Sequence, residues 1–85
     1  MVEDGDLVAI FHSIHRVMKA EKLLKQAGIS VLLIPVPRQL TSDCGLAIRY
    51  SEDARDEVES TLTSSGLKVQ EIHQRQDGRF VQLNS

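Results

Sequence analysis

One thiol stands in this chain: Cys44, in the stretch RQLTSDCGLAIRY of residues 38–50. A lone cysteine is either a small apolar core residue or a nucleophile acting through its thiolate. Thr41, Ser42 and Asp43 before it are polar, which predicts solvent access. Gly45 after it permits a tight turn and close approach of a ligand or partner backbone. Cationic groups and helix-terminal amides favour a thiolate, whereas a carboxylate such as that of Asp43 opposes one. Candidates for the favourable groups are His12 and His15, which flank Ser13, and Arg38 between Pro37 and Gln39. A guanidinium in that loop suits an anionic group such as a phosphate, a carboxylate or a persulfide. The duller roles are a backbone-bonded strand-end His12, a solvent-facing His15 and a surface Arg38. His12 and His15 with Cys44 offer two nitrogens and a sulfur, but a strong zinc signature needs a second ligand pair that the chain lacks. No metal and no cofactor is assigned.

Other chemistry is excluded by composition. The chain has no phosphate-cradling glycine loop, no nucleophile elbow and no paired-carboxylate constellation. Its 85 residues carry a net charge of −2 and three rings, Phe11, Tyr50 and Phe80, with no Trp. Neither a polyanion-binding charge nor a base-stacking surface follows from that, so no nucleic-acid partner is expected. Charge is uneven. Residues 12–49 are mainly basic and residues 51–71 mainly acidic, which reads as two solvated helix faces of opposite sign or as a basic face for a negatively charged ligand or an acidic partner protein. A single cysteine makes no internal disulfide. The opening MVEDGDLVAIFHS lacks a basic region and a long apolar run, and no run reaches the roughly 18 residues of a membrane span. A reducing cytoplasm is the expected setting, with no membrane partner.

The thiol must be positioned by short elements. LVAIF (7–11) reads as a buried strand. Ser13 then caps a helix whose apolar stripe runs through Ile14, Val17, Met18, Ala20, Leu23, Leu24 and Ala27 to Gly28. ISVLLIP (29–35) is a second strand, PVPRQLTSD a proline-stiffened connection and GLAIRY (45–50) a third strand. Residues 51–66 form a second helix, capped by Ser51, with acids at its positive end. LKVQEI (67–72) alternates as a fourth strand, QDG (76–78) signals a hairpin and RFVQL (79–83) adds a short fifth. The order predicts an α+β, ferredoxin-like βαββαβ two-layer sandwich with an antiparallel sheet. It would be a single domain over residues 1–85, with its core near 7–73 and a C-terminal extension over 74–85. That topology brings His12, Ser13–Arg16, Pro35–Arg38 and Ser42–Gly45 to one sheet edge and sends His73 to the other.

The stretches FHSIHRVMKAEKLLKQAGI and LLIPVPRQLTSDCGLAIRY resemble a small bacterial family of sulfur/selenium carrier-like proteins, long known only as a domain of unknown function. The specific part is Pro-x-Pro-Arg leading to Ser-x-Cys-Gly, here Pro35, Pro37, Arg38, Ser42, Cys44 and Gly45, together with His12, Ser13 and His15 at the start of the first helix. The resemblance implies a cysteine carrying sulfur or selenium as a persulfide or selenosulfide, and on this chain that residue is Cys44. It implies a donor such as a cysteine desulfurase and an acceptor protein, a relay member rather than an independent enzyme. Fold analogy allows a homodimer, and also a second kind of function: a non-catalytic small-anion-binding or regulatory module.

Overall fold

The computed structural model describes residues 2–84. Among them the expected order of elements is present: β1 (Leu7–Ile10), α1 (Ile14–Gln26), β2 (Leu32–Pro35), β3 (Leu46–Tyr50), α2 (Arg55–Ser64), β4 (Glu71–Gln76) and β5 (Arg79–Gln82). The strands form one antiparallel sheet in the order β2-β3-β1-β4-β5. Four of those positions reproduce the ferredoxin-like arrangement, and β5 widens the sheet beyond β4. No helix of the described residues is long and apolar enough to cross a membrane.

β1 reads as a continuous apolar run because both of its faces are buried. Leu7, Ala9 and Phe11 meet the helices through Val17, Ala20, Leu24, Val58 and Leu62. Val8 and Ile10 face the opposite side, where they pack with Ile34 and Ala47 under Val2, Val36, Leu40 and Phe80. The sheet is thus roofed by helices on one face and by loop and strand side chains on the other. Each fully buried aliphatic side chain contributes about 1.5–3 kcal/mol of burial.

Local chemistry explains where elements begin and end. Ser13 caps α1, its Oγ accepting from the Arg16 amide at 3.4 Å. Asp77 (φ 52°) and Gly78 (φ 77°) are both left-handed, and Gln76 pairs with Arg79, which makes the two-residue primed hairpin turn the QDG signal predicted.

Several expectations are corrected. Ile14 and Met18 are each 43% exposed, so the buried stripe of α1 is the narrower Val17–Ala20–Leu24 set. Ser51 makes no side-chain cap. A short 3-10 turn, Glu52–Ala54, leads into α2 instead. The fourth strand lies four residues later than LKVQEI. Leu67 and Val69 pack against the helix-side core from an unpaired segment, and pairing with β1 starts only at Glu71. His73 consequently sits inside β4, opposite Val8, and not at the far edge of the sheet.

Candidate functional site

Pairing of Ile10 with Ala47 and of Pro35 with Leu46 puts the end of β1, the end of β2 and the start of β3 at one sheet edge. The β2–β3 connection closes there, with the Val36 amide donating to the Gly45 carbonyl at 3.0 Å. The backbone segments expected to meet do meet. Their side chains separate onto the two faces of the sheet.

Cys44 turns toward the helix side, where it packs partly buried against the core cluster containing Phe11. Its thiol donates to the Leu46 carbonyl at 3.3 Å. Ser42 Oγ lies 3.5 Å from Sγ and accepts from the Cys44 amide at 3.4 Å. Since that oxygen already accepts the amide proton, its own hydroxyl proton is available to the sulfur. The thiol is therefore held in a short chain, Ser42 hydroxyl to sulfur to Leu46 carbonyl, in a residue that is only partly buried.

Gly45 holds the turn at φ 75°, and a Cβ placed there would meet nothing within 4 Å. The space at the Gly45 Cβ position is open, so the need for glycine is conformational. Gly45→Ala is expected to cost about 1–2 kcal/mol through the left-handed backbone alone. A thermal melt reads this as a fall of roughly 4–8 °C per kcal/mol for a domain of this size. An unchanged melting temperature would contradict the strained-turn account.

The other polar cluster begins at His12, itself left-handed at φ 56°. Its Nε2 lies 2.8 Å from Glu71 Oε2, and Nε2 of the buried His73 lies 2.8 Å from Glu71 Oε1. Hydrogen bonds from His73 and then His12 hold the Glu71 carboxyl below its ordinary range. An ionised carboxylate only accepts, so both imidazoles carry hydrogen on Nε2. His12 Nδ1 is buried and has no hydrogen-bond partner among the described residues. Because the folded protein binds the Glu71 proton more weakly than the unfolded chain, this bridge stabilises the fold above the ordinary carboxylate range. The contribution disappears as pH falls through the depressed folded value. Glu71→Gln is expected to flatten the acid limb of the melting-temperature profile, below the ordinary carboxylate range. An identical limb in the variant would remove Glu71 from the account.

Ser13 is occupied as the α1 cap, and His15 is exposed in the first turn. His12 is committed to Glu71, and among the described residues no three His, Cys, Asp or Glu side chains are grouped to hold a metal ion. Arg38 is exposed at the tip of a turn and lines a cleft on the helix-free face with Arg75 and Phe80, across the sheet from Cys44. The expected cluster of Cys44, both histidines and Arg38 thus resolves into a thiol turn, an imidazole–carboxylate bridge and an arginine-lined cleft. Glu71, Arg75 and Phe80 were missed by sequence reasoning. The alternation Glu71–His73–Arg75 was the available signal, hidden by placing the fourth strand too early.

A scan against family models matches residues 6–74 to the family described as "Putative Se/S carrier protein-like". No curated protein and no solved structure matches the chain.

Proposed function

Because the chain belongs to that Se/S carrier protein-like family, we propose that it is a relay member that holds a transferable sulfur or selenium atom on Cys44. The observation that carries this reading is the thiol itself: the chain's one cysteine, partly exposed in an open turn at the sheet edge.

In loading, Cys44 gives up its proton to solvent and its thiolate attacks the terminal sulfur of a donor persulfide. A new Sγ–S bond forms as the donor's S–S bond breaks, and the donor cysteine leaves as a thiolate. The transferred sulfur keeps its oxidation level, so no external oxidant is needed. Delivery is the same exchange with the acceptor thiolate as attacker. A selenosulfide follows the same scheme.

The surroundings suit the two states. Unloaded, the thiol proton is held by the Leu46 carbonyl. Loaded, Sγ has no proton to give that oxygen, and that contact is released. The Ser42 hydroxyl is placed to donate to the anionic form. His15 and the α1 amides behind Ser13 follow directly on β1 and are assigned the supporting electrostatic role in this proposal. A cysteine desulfurase is the class of donor this chemistry calls for, in a reducing compartment such as the cytoplasm, with a thiol-bearing protein as acceptor.

Incubation with a cysteine desulfurase and cysteine, followed by intact-mass measurement, tests the proposal. The expected result is an adduct of one sulfur that dithiothreitol removes. A protein of unchanged mass, under conditions where the desulfurase itself is loaded, would overturn it.

A further inference from the structure

The helix-free face of the sheet carries a second recess, across the sheet from the thiol. It encloses about 370 Å³ and is walled by Ile34, Val36, Pro37, Arg38, Arg75 and Phe80. Small-molecule sites fall in the range of roughly 300–1,000 Å³ and combine apolar walls with a few placed polar groups. We propose that this cleft binds a small organic monoanion, a carboxylate with an apolar body, through Arg38 and Arg75 against Phe80.

The loop is built to present Arg38. Leu40 N–H donates to the Pro37 carbonyl at 2.9 Å, closing a turn with Arg38 and Gln39 at its tip. Val36 and Leu40, on either side of that turn, both pack onto Val8, Ile10, Ile34 and Ala47. Pro35 and Pro37 remove further backbone freedom. Ordering of this segment is therefore accomplished by the fold before any ligand arrives, which lowers the entropy lost on binding. Arg38 itself makes no hydrogen bond or ion pair among the described residues, so its five donors are available.

Arg75 is the fixed member. Its Nε lies 3.2 Å from Asp4 Oδ1, and its guanidinium also donates to the Val2 carbonyl. It stands directly across the β4–β5 pair from Phe80, so cation and ring share the same sheet face.

Charge and polarity choose the ligand class. With Asp4 beside Arg75, one net positive charge remains over the recess, which matches a monoanion. A strongly hydrated dianion would have to shed water against Val2, Ile34, Val36 and Phe80 with too few donors to replace it. No helix amide lines the cleft to help a phosphate. An apolar body, by contrast, is stabilised by those same walls.

The proposal does not rest on the carrier reading, and its test separates the two. Benzoate titrated into the full chain, followed by backbone-amide NMR, is expected to give saturable shifts centred on the amides of Val36, Arg38, Gln39 and Phe80. Arg38→Gln should weaken binding about tenfold, the loss of one charge-assisted hydrogen bond, and Arg38→Lys should weaken it less. Inorganic phosphate at equal concentration should leave those amides in place, and Cys44→Ser should bind benzoate as the wild type does. Arg38 is exposed and unpaired, so its substitution leaves the fold intact. Shifts that do not saturate, shifts centred elsewhere, full affinity in Arg38→Gln or equal binding of phosphate would each overturn the proposal.

Discussion

Cys44→Ser is expected to abolish sulfur loading completely while leaving the fold within about 1 kcal/mol of wild type. The loss is total because the chain has no second thiol to take over. The fold survives because a serine hydroxyl can still donate to the Leu46 carbonyl and accept from Ser42, replacing the two contacts of the sulfur. Cys44→Ala loses both contacts and a little packing, yet should also fold, since the side chain is only partly buried. Paired thermal melts and intact-mass loading assays on the three proteins separate a reactive cysteine from a structural one. A variant that melts far below wild type would instead give the thiol a packing role.

Phe11→Ala is expected to cost about 3–5 kcal/mol, the penalty of a cavity at a fully buried ring. Phe11 is 1% exposed and belongs to the cluster joining β1, both helices and β3. For a domain this small the whole stability is of the order of 5–10 kcal/mol, so one ring carries a large part of it. Urea denaturation should show a sharply lowered midpoint with an unchanged slope. Phe11→Leu, which fills most of the volume, should recover much of the loss. Because Cys44 packs on the same cluster, Phe11→Ala is also expected to speed alkylation of the thiol. Wild-type stability in Phe11→Ala would place the core elsewhere.

The elements best read from sequence are those where local chemistry and burial agree. LVAIF is apolar at every position because β1 is covered on both faces, and Ser13 caps α1 where the hydroxyl spacing says it should. The hairpin at Asp77–Gly78 follows from backbone conformations that Gly and Asp tolerate. β4 was misplaced because LKVQEI alternates more cleanly than EIHQRQ. Pattern alone does not show that Leu67 and Val69 reach the core from an unpaired segment, or that Glu71, His73 and Arg75 are tolerated by a face with its own polar partners. The strand order brought the right segments to one edge, but the face each side chain takes depends on register, and a shift of one residue inverts it. Cys44 and Arg38, six residues apart in the loop between β2 and β3, end on opposite sides of the sheet through the path of that loop, which no residue pattern displays.

The measurement that bears most directly on Cys44 as the carrying atom is a sulfur label followed to a peptide. Cysteine labelled in its sulfur is supplied with a cysteine desulfurase, and the protein is then digested and mapped, with and without dithiothreitol. The account predicts label on the peptide containing Cys44, released by the reductant and absent from Cys44→Ser. Label on any other peptide, or label that persists in Cys44→Ser, would contradict it.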